Sequence, residues 1–163
     1  MPTRIVILGN SGSGKSTLAR KRAEPAVIPT LDLDTIYWEP NKIAVARAAD
    51  EARAALARFC TANASWIAEG CYGTLAETAL ATPGAPAPEL ILLNPGEEAC
   101  IAHCKARPWK PHKYASKAEQ DAKLAFLLDW VRDYYRRDGE MSLAGHRALF
   151  AAYDGPKREL ESV

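Results

Sequence analysis

The sequence predicts an α/β fold in which helices cover both faces of a parallel sheet. Short apolar runs of strand length alternate along the chain with longer segments that favour helix. The first apolar run leads into the glycine-rich segment GNSGSGKS at residues 9–16, and a helix-forming stretch follows it directly. A chain of 163 residues can build one domain with a sizeable core but not two, so we expect a single domain over residues 1–163.

Four apolar runs have the length and composition of buried strands. They cover residues 5–8, 26–31, 66–68 and 89–93. The second run ends in Asp32 and Asp34, and the third ends at Glu69. Residues 156–163 fit either a short edge strand or a frayed tail. Because ligands gather at the carboxyl ends of parallel strands, the polar residues that end these runs are candidates for a site.

Five other segments favour helix. They cover residues 15–22, 44–61, 96–107, 116–139 and 142–153. Pro25 ends the first of these helices, and Pro108 ends the third. Ser116 and Glu119 form a capping box at the start of the fourth, in which apolar residues recur at helical spacing. Residues 82–88, with three prolines, predict a loop.

The nearly balanced charge gives no indication of a nucleic-acid-binding or membrane-binding protein. Lys and Arg total 21 against 20 for Asp and Glu, so the net charge of +1 gives no overall attraction to nucleic acid or membranes. The chain has no run of roughly 18 apolar residues, and its first apolar stretch ends in the glycine-rich segment instead of a signal-peptide cleavage region. We therefore expect a cytoplasmic protein that does not bind membranes.

The cysteines are expected to be reduced thiols in the core or partly buried. They are Cys60, Cys71, Cys100 and Cys104. Cys100, His103 and Cys104 share one predicted helix, which also allows a metal-site interpretation. Because no second ligand group accompanies them, we favour packing.

Residues 9–16 match the GxxxxGK[ST] pattern of a phosphate-binding loop. Glycines let backbone N–H groups converge on phosphates, Lys15 reaches the β and γ oxygens, and the Ser16 hydroxyl ligates Mg²⁺. The following helix adds the positive end of its dipole. An ordinary glycine- and serine-rich turn is the alternative, but the strand before and the helix after favour nucleoside triphosphate binding, with Thr17 near the α and β phosphates. The predicted nucleotide site comprises Gly9, Asn10, Ser11, Gly12, Ser13, Gly14, Lys15, Ser16 and Thr17.

Several segments together resemble a known kinase group. GNSGSGKST, LDLDTIYW and WIAEGCYG, followed by an apolar strand and a basic loop, are similar to the small P-loop kinases of the adenylate kinase and shikimate kinase group. Within that group the chain most resembles the topology modulation (FlaR-like), adenylate kinase-related ATPases. The resemblance implies ATP and Mg²⁺ as cofactors, a three-layer fold with a five-stranded sheet in the order 2-3-1-4-5, and a lid at about residues 107–118.

Asp32 and Asp34 form a DxD pattern at the end of the second predicted strand. Residues two apart in an extended strand point to the same side, so we expect both carboxylates to face one site. One can support Mg²⁺, and the other can accept the proton of an acceptor hydroxyl. The resemblance to shikimate kinases favours Asp34 for the acceptor and Asp32 for the metal. The alternative is that both aspartates cap the next turn.

Three further residues are candidates for the acceptor pocket. Glu69 ends the third strand and could hold Mg²⁺ through water, contact the acceptor, or be a solvated strand end. Trp38 and Tyr72 flank the carboxylates in sequence, and they fit either aromatic walls of a pocket or core positions.

Two groups of cations could act on phosphates. Arg107, Lys110 and Lys113 surround two prolines in the basic loop, where lid cations would stabilise charge on the transferring group. Family lids use arginines in this way, whereas this loop offers Arg107 and lysines, and a solvated cationic loop is the alternative. Arg132 and Arg136 share a helix face and could reach acceptor or ATP phosphates, although cations near a helix end also favour its dipole.

Together these residues predict an ATP-dependent phosphotransferase that moves the γ-phosphate to a hydroxyl of a small-molecule acceptor. Lys15, Asp34 and Arg107 would carry the catalysis, and Ser16 and Asp32 would hold the metal. Two alternatives stay open: a regulatory ATPase or nucleotide switch, and a nucleic-acid 5′-hydroxyl kinase in which Trp109 stacks on a base. Residues 39–49 contain no diagnostic cluster that would name the acceptor.

Overall fold

The computed structural model describes residues 1–42, 44–109, 111 and 114–163. Five parallel strands form one sheet in the order β2-β3-β1-β4-β5. The strands are β1 (Arg4–Gly9), β2 (Thr30–Asp32), β3 (Trp66–Gly70), β4 (Glu89–Leu93) and β5 (Lys157–Leu160). The predicted α/β class and strand order are confirmed, and the last segment forms an edge strand.

Helices cover both faces of this sheet. They are α1 (Lys15–Ala23), α2 (Asp34–Tyr37), α3 (Ala49–Ala62), α4 (Gly73–Leu80), α5 (Glu97–Lys105), α6 (Lys117–Asp133) and α7 (Leu143–Ala152). α1 packs on β1, β2 and β3, while α4 and α7 contact the central strands from the other face, with α3 against α4. α5 and α6 pack against each other and enclose a small separate core.

Alternate residues of β1 belong to different cores. Ile5 and Ile7 pack with Leu18 of α1, whereas Val6 and Leu8 pack with residues of α3, α4 and α7. The central strand is therefore buried on both sides, which explains its unbroken apolar run.

Several element boundaries differ from the sequence expectations. α3 begins at Ala49 instead of residue 44, because Ala44 has a φ of 56° and Ala46 forms an antiparallel bridge with Trp38. β2 begins at Thr30, since a 3-10 turn over Glu24–Ala26 occupies the start of the apolar run. α6 ends before residue 139. α2 and α4 were not predicted, because 4 and 8 residues are too few for a clear period.

The predicted cap of α6 is present. Ser116 Oγ accepts a hydrogen bond from the Glu119 N–H at 3.1 Å, and the Glu119 carboxylate accepts one from the Ala115 N–H at 3.0 Å. The reciprocal contact therefore goes to the residue before the cap, and it fixes the entry of the chain into α6.

The cysteines are free thiols, and Cys60, Cys100 and Cys104 are buried. Among the residues that the structure describes, no helix combines the length and the apolar character needed to cross a bilayer.

Candidate active site

The phosphate loop connects β1 to α1 at the carboxyl edge of the sheet. Gly12 and Gly14 have φ values of 78° and 96°, in the left-handed region that favours glycine. A side chain at Gly12 would also collide with the Cys100 carbonyl oxygen of α5. The backbone conformation thus requires glycine at both positions, and at Gly12 the close approach of α5 requires it as well.

Two side-chain contacts hold the loop against α5 and α6. His103 Nδ1 lies 2.6 Å from the Gly12 carbonyl oxygen, and because that oxygen can only accept, Nδ1 carries the proton. Asn10 Nδ2 donates to the Val131 carbonyl oxygen at 3.0 Å, which satisfies one of the last carbonyls of α6. The loop is therefore tied to the helix that follows the predicted lid.

Cys100, His103 and Cys104 have structural contacts and do not form a metal site among the described residues. Cys100 and Cys104 lie in the core between α5 and α6, and His103 is bonded to the phosphate loop. Within the described ranges, no group of three or more His, Cys, Asp or Glu residues could hold a metal ion.

The start of α1 presents Lys15 and Ser16 to the ends of the strands. Lys15 Nζ donates to the Asn10 carbonyl oxygen at 2.7 Å. Ser16 Oγ donates to Glu69 Oε1 at 2.8 Å. Glu69 is the register partner of Asp32, and both carboxylates line the same cleft of about 650 Å³ as Ser16. Three oxygen-bearing side chains therefore converge beside the phosphate loop.

Glu69 is a buried carboxylate, 5% exposed. Burial raises the pKa of Glu69, Lys15 opposes the rise, and Asp32 and Asp34 add to it. A buried carboxylate near other carboxylates is stabilised by a cation, and carboxylate and hydroxyl oxygens are ligands that suit Mg²⁺. These residues therefore fit Mg²⁺ beside Ser16, and Glu69 is the carboxylate that is hydrogen-bonded to Ser16.

Asp32 and Asp34 do not lie on one extended strand. β2 ends at Asp32, Leu33 has helical dihedral angles, and Asp34 opens α2. Asp32 Oδ1 accepts a hydrogen bond from the Asp34 N–H at 2.9 Å. This is the contact expected if Asp32 caps the turn that follows the strand, which was the alternative to a shared metal and acceptor site. The expected strand geometry is wrong because the chain turns at Leu33. Asp32 lines the cleft with Glu69, whereas Asp34 contacts the connection between β3 and α4.

Aromatic residues hold the carboxylate of Asp34. The Tyr72 hydroxyl donates to Asp34 Oδ1 at 2.5 Å, and Trp38 Nε1 donates to the Tyr72 oxygen at 3.0 Å. The Tyr72 ring stacks on Tyr37, with 4.0 Å between ring centroids and 13° between planes. Burial raises the pKa of Tyr72 far above its ordinary value, and the Asp34 charge adds to the rise, so the phenol stays protonated. Tyr72 therefore contacts the predicted acceptor carboxylate directly, and the Trp38 side chain is linked to it through Tyr72.

The basic loop is described in part. Lys110 and Lys113 lie outside the described residues. Arg107 follows α5, is half-buried, and lines a small pocket with Tyr114. Gln120 of α6 donates to the Pro108 carbonyl oxygen at 3.2 Å, so the start of the loop is bonded to α6.

The cations near the end of α6 have partners. Arg132 pairs with Asp129 at 3.1 Å, and Arg136 pairs with Glu97 of α5 at 3.3 Å, all on the surface. Arg137 is held more firmly, since its guanidinium donates to backbone carbonyl oxygens and lies 3.5 Å from the centroid of the Trp130 ring.

No sequence pattern predicted the buried His146 of α7. Its Nε2 lies 2.8 Å from the Cys71 carbonyl oxygen, and its Nδ1 lies 2.8 Å from the Tyr134 hydroxyl. Because a carbonyl oxygen can only accept, Nε2 carries the proton and Nδ1 accepts from Tyr134. Burial lowers the pKa of His146 to about 4. The neutral ring braces the backbone two residues beyond Glu69.

Similarity to known proteins is found among solved structures and concerns the fold. No protein-family model matches the chain, and no curated protein sequence matches it significantly. The chain is similar to a solved, unliganded sugar kinase from Janibacter sp., with 17% identity and a TM-score of 0.53 over 98% of this chain and 85% of that chain. It is also similar to a shikimate kinase from Bacteroides thetaiotaomicron, with 17% identity and a TM-score of 0.50 over 91% of this chain and 97% of that chain. The chain therefore has the α/β fold of P-loop kinases.

Proposed function

We propose that the protein is an ATP-dependent phosphotransferase that moves the γ-phosphate of ATP to a hydroxyl group of a small molecule. The observation that carries the proposal is that carboxylates occur in two different settings near the phosphate loop, one bonded to Ser16 and one bonded to Asp32 of the same cleft. Glu69, bonded to Ser16 and paired with Asp32, suits the metal side. Asp34, bonded to Tyr72, suits the acceptor side. Phosphoryl transfer to a hydroxyl uses both kinds of group.

At the nucleotide side, Lys15 would exchange the Asn10 carbonyl oxygen for the β and γ phosphate oxygens. The backbone N–H groups of the loop and the start of α1 would hold the phosphates, with Thr17 near the α and β groups. Ser16, Asp32 and Glu69 would hold Mg²⁺, which when bound neutralises charge on the β and γ oxygens.

At the acceptor side, Asp34 would orient the hydroxyl and accept its proton as the new O–P bond forms. Because Tyr72 occupies Oδ1, the other carboxylate oxygen is available to the acceptor. Trp38 is partly exposed, is hydrogen-bonded to Tyr72, and would form one wall of the acceptor pocket.

Cations would act from the segment at about residues 107–118, which we propose as a lid. Arg107 would stabilise charge on the transferring group, together with Lys110 and Lys113. Arg132 and Arg136 would bind phosphates after releasing their present carboxylate partners.

The names of the two similar structures, a sugar kinase and a shikimate kinase, support transfer to a hydroxylated small molecule. We also propose the narrower likeness to the topology modulation (FlaR-like) group, which rests on GNSGSGKST, LDLDTIYW and WIAEGCYG followed by an apolar strand and a basic loop. Free thiols and the use of ATP suit the reducing cytoplasm, where we place the reaction.

The test is a screen of ADP formation from Mg·ATP against nucleosides, sugars, cyclitols, antibiotics and oligonucleotides. We expect one class of small hydroxyl compounds to accelerate ADP formation many-fold and to carry the phosphate afterwards. Lys15→Ala should remove this acceleration, whereas Lys21→Ala, on the exposed side of the same helix, should keep it.

Other outcomes would favour the alternatives. Acceleration by a macromolecule without phosphate transfer indicates a nucleotide switch. Labelled oligonucleotides, with a rate that falls steeply with salt, indicate a nucleic-acid kinase.

A further inference from the structure

We infer that Tyr72 is a positioning residue for Asp34, because its hydroxyl fixes which carboxylate oxygen faces the acceptor. The inference rests on the proposed function, in which Asp34 receives the proton of the acceptor hydroxyl. It goes further by giving a role in the reaction to two aromatic residues that act through Asp34.

The direction of the hydrogen bonds is fixed by chemistry. An indole N–H can only donate, so the 3.0 Å contact from Trp38 Nε1 makes the Tyr72 oxygen an acceptor. The Tyr72 hydroxyl then donates its proton to Asp34 Oδ1, because an ionised carboxylate can only accept; the two oxygen atoms are 2.5 Å apart. Each member of the chain therefore orients the next, and the chain ends on the proposed base.

The surroundings of Tyr72 hold this arrangement in place. Tyr72 is 3% exposed and belongs to the hydrophobic core that includes buried residues of α3 and α4. Its ring is stacked on Tyr37, which leaves the phenol little freedom to turn. Because burial also keeps the phenol protonated, it donates throughout the pH range in which a carboxylate base is ionised.

Asp34 needs such a donor. Its side chain is exposed at the start of α2, and the terminal torsion of an aspartate is broad, so an unrestrained carboxylate would exchange its two oxygens freely. Tyr72 holds Oδ1 and thereby presents the other oxygen to the acceptor. A positioned base of this kind acts more efficiently than one that samples several orientations.

Tyr72→Phe tests the role, since it removes the hydroxyl and keeps the ring. The matched control is Tyr37→Phe, which removes the neighbouring hydroxyl, for which no hydrogen bond with the described residues is found. The assay is ADP formation from Mg·ATP with water as the acceptor, measured for the parent, both single variants, Asp34→Asn and the double variant Asp34→Asn/Tyr72→Phe.

We expect Tyr72→Phe to lower the rate by about 10- to 100-fold, the usual worth of a hydrogen bond to a charged group, with the KM for ATP unchanged. Tyr37→Phe should stay near the parental rate. The double variant should be no slower than Asp34→Asn alone, because Tyr72 acts through Asp34. A purely structural role would instead lower the rate by the same factor in both backgrounds, and that result would overturn the inference.

The indole N–H resonance of Trp38 gives a readout that does not depend on activity. It is identified by its loss in Trp38→Phe, and we expect it to move in Tyr72→Phe and to stay in place in Tyr37→Phe. If this resonance does not respond to Tyr72→Phe, the hydrogen-bond chain is absent in solution and the inference fails.

Different results would contradict the proposed function and the inference about Tyr72. A parent protein that neither binds nor turns over Mg·ATP contradicts the proposed function, and the inference falls with it. A parent that depends on Asp34 but not on the Tyr72 hydroxyl contradicts the inference alone.

Discussion

Three carboxylates lie in or directly after the last residues of β2 and β3, and their surroundings separate their roles. Glu69 is buried against Ser16, Asp32 is its register partner in the same cleft, and Asp34 is bonded to Tyr72 at the start of α2. The residue types and their place at strand ends were readable in the sequence. The conformation of Leu33 was not, because α2 has only four residues and leaves no clear helical period in the pattern.

Asparagine substitutions distinguish the two aspartates. Asp34→Asn should keep ATP affinity but lose about 10² to 10⁴-fold in acceptor-dependent rate, the usual worth of a positioned base. The loss should sit toward the low end, since a loose transition state needs little early proton abstraction. Asp32→Asn should instead weaken the response to Mg²⁺ and recover partly at higher metal, because an amide keeps an oxygen but loses the charge. Mg²⁺ and acceptor titrations of ADP formation measure both effects.

Parental transfer rates in both variants would show that the aspartates are turn caps. The catalytic carboxylate would then have to be Glu69.

At the scale of elements, local signals predicted the strand, phosphate loop and helix at the start of the chain and the cap of α6, whereas they left the last segment open between an edge strand and a frayed tail. The start of α3 was wrong because alanine-rich composition favours helix locally, whereas the bridge between Trp38 and Ala46 keeps that stretch extended. The contact between α7 and the end of β3 through His146 was invisible for a similar reason, since it joins residues 75 positions apart.

His146 makes stability depend on pH. Its pKa is about 4 in the folded protein and near 6.5 when unfolded, so between these values the unfolded chain binds a proton that the native state excludes. Stability is therefore full above about pH 6.5 and falls by about 3 kcal/mol as the pH drops toward 4. Denaturant unfolding at pH 7 and at pH 4 measures this loss, and His146→Gln should show a smaller difference between the two conditions. An equal pH dependence in the variant would assign the loss to other groups.

Across the whole molecule, the phosphate loop is the point where separate parts meet. α5 packs on Gly12, α6 is bonded to Asn10, and Ser16 reaches the end of β3. The motif alone predicted the loop, because its backbone requirements are local. The lid and the acceptor pocket depend on side chains that distant segments bring together, so sequence could name candidates such as Arg107 and Trp38 but not their geometry.

The most direct test of the central proposal is calorimetric titration of Mg·ATP into the parent protein, Lys15→Ala and Lys21→Ala. Because Lys15 is only partly buried and makes one hydrogen bond with the described residues, to the Asn10 carbonyl oxygen, its removal should leave the protein folded, which thermal unfolding of the variant checks. We predict that Lys15→Ala weakens Mg·ATP binding by about 10- to 100-fold through loss of charge-assisted contacts to the phosphates, while Lys21→Ala binds like the parent. A folded Lys15→Ala protein that binds and turns over Mg·ATP as well as the parent would contradict the assignment of the phosphate loop as the nucleotide site.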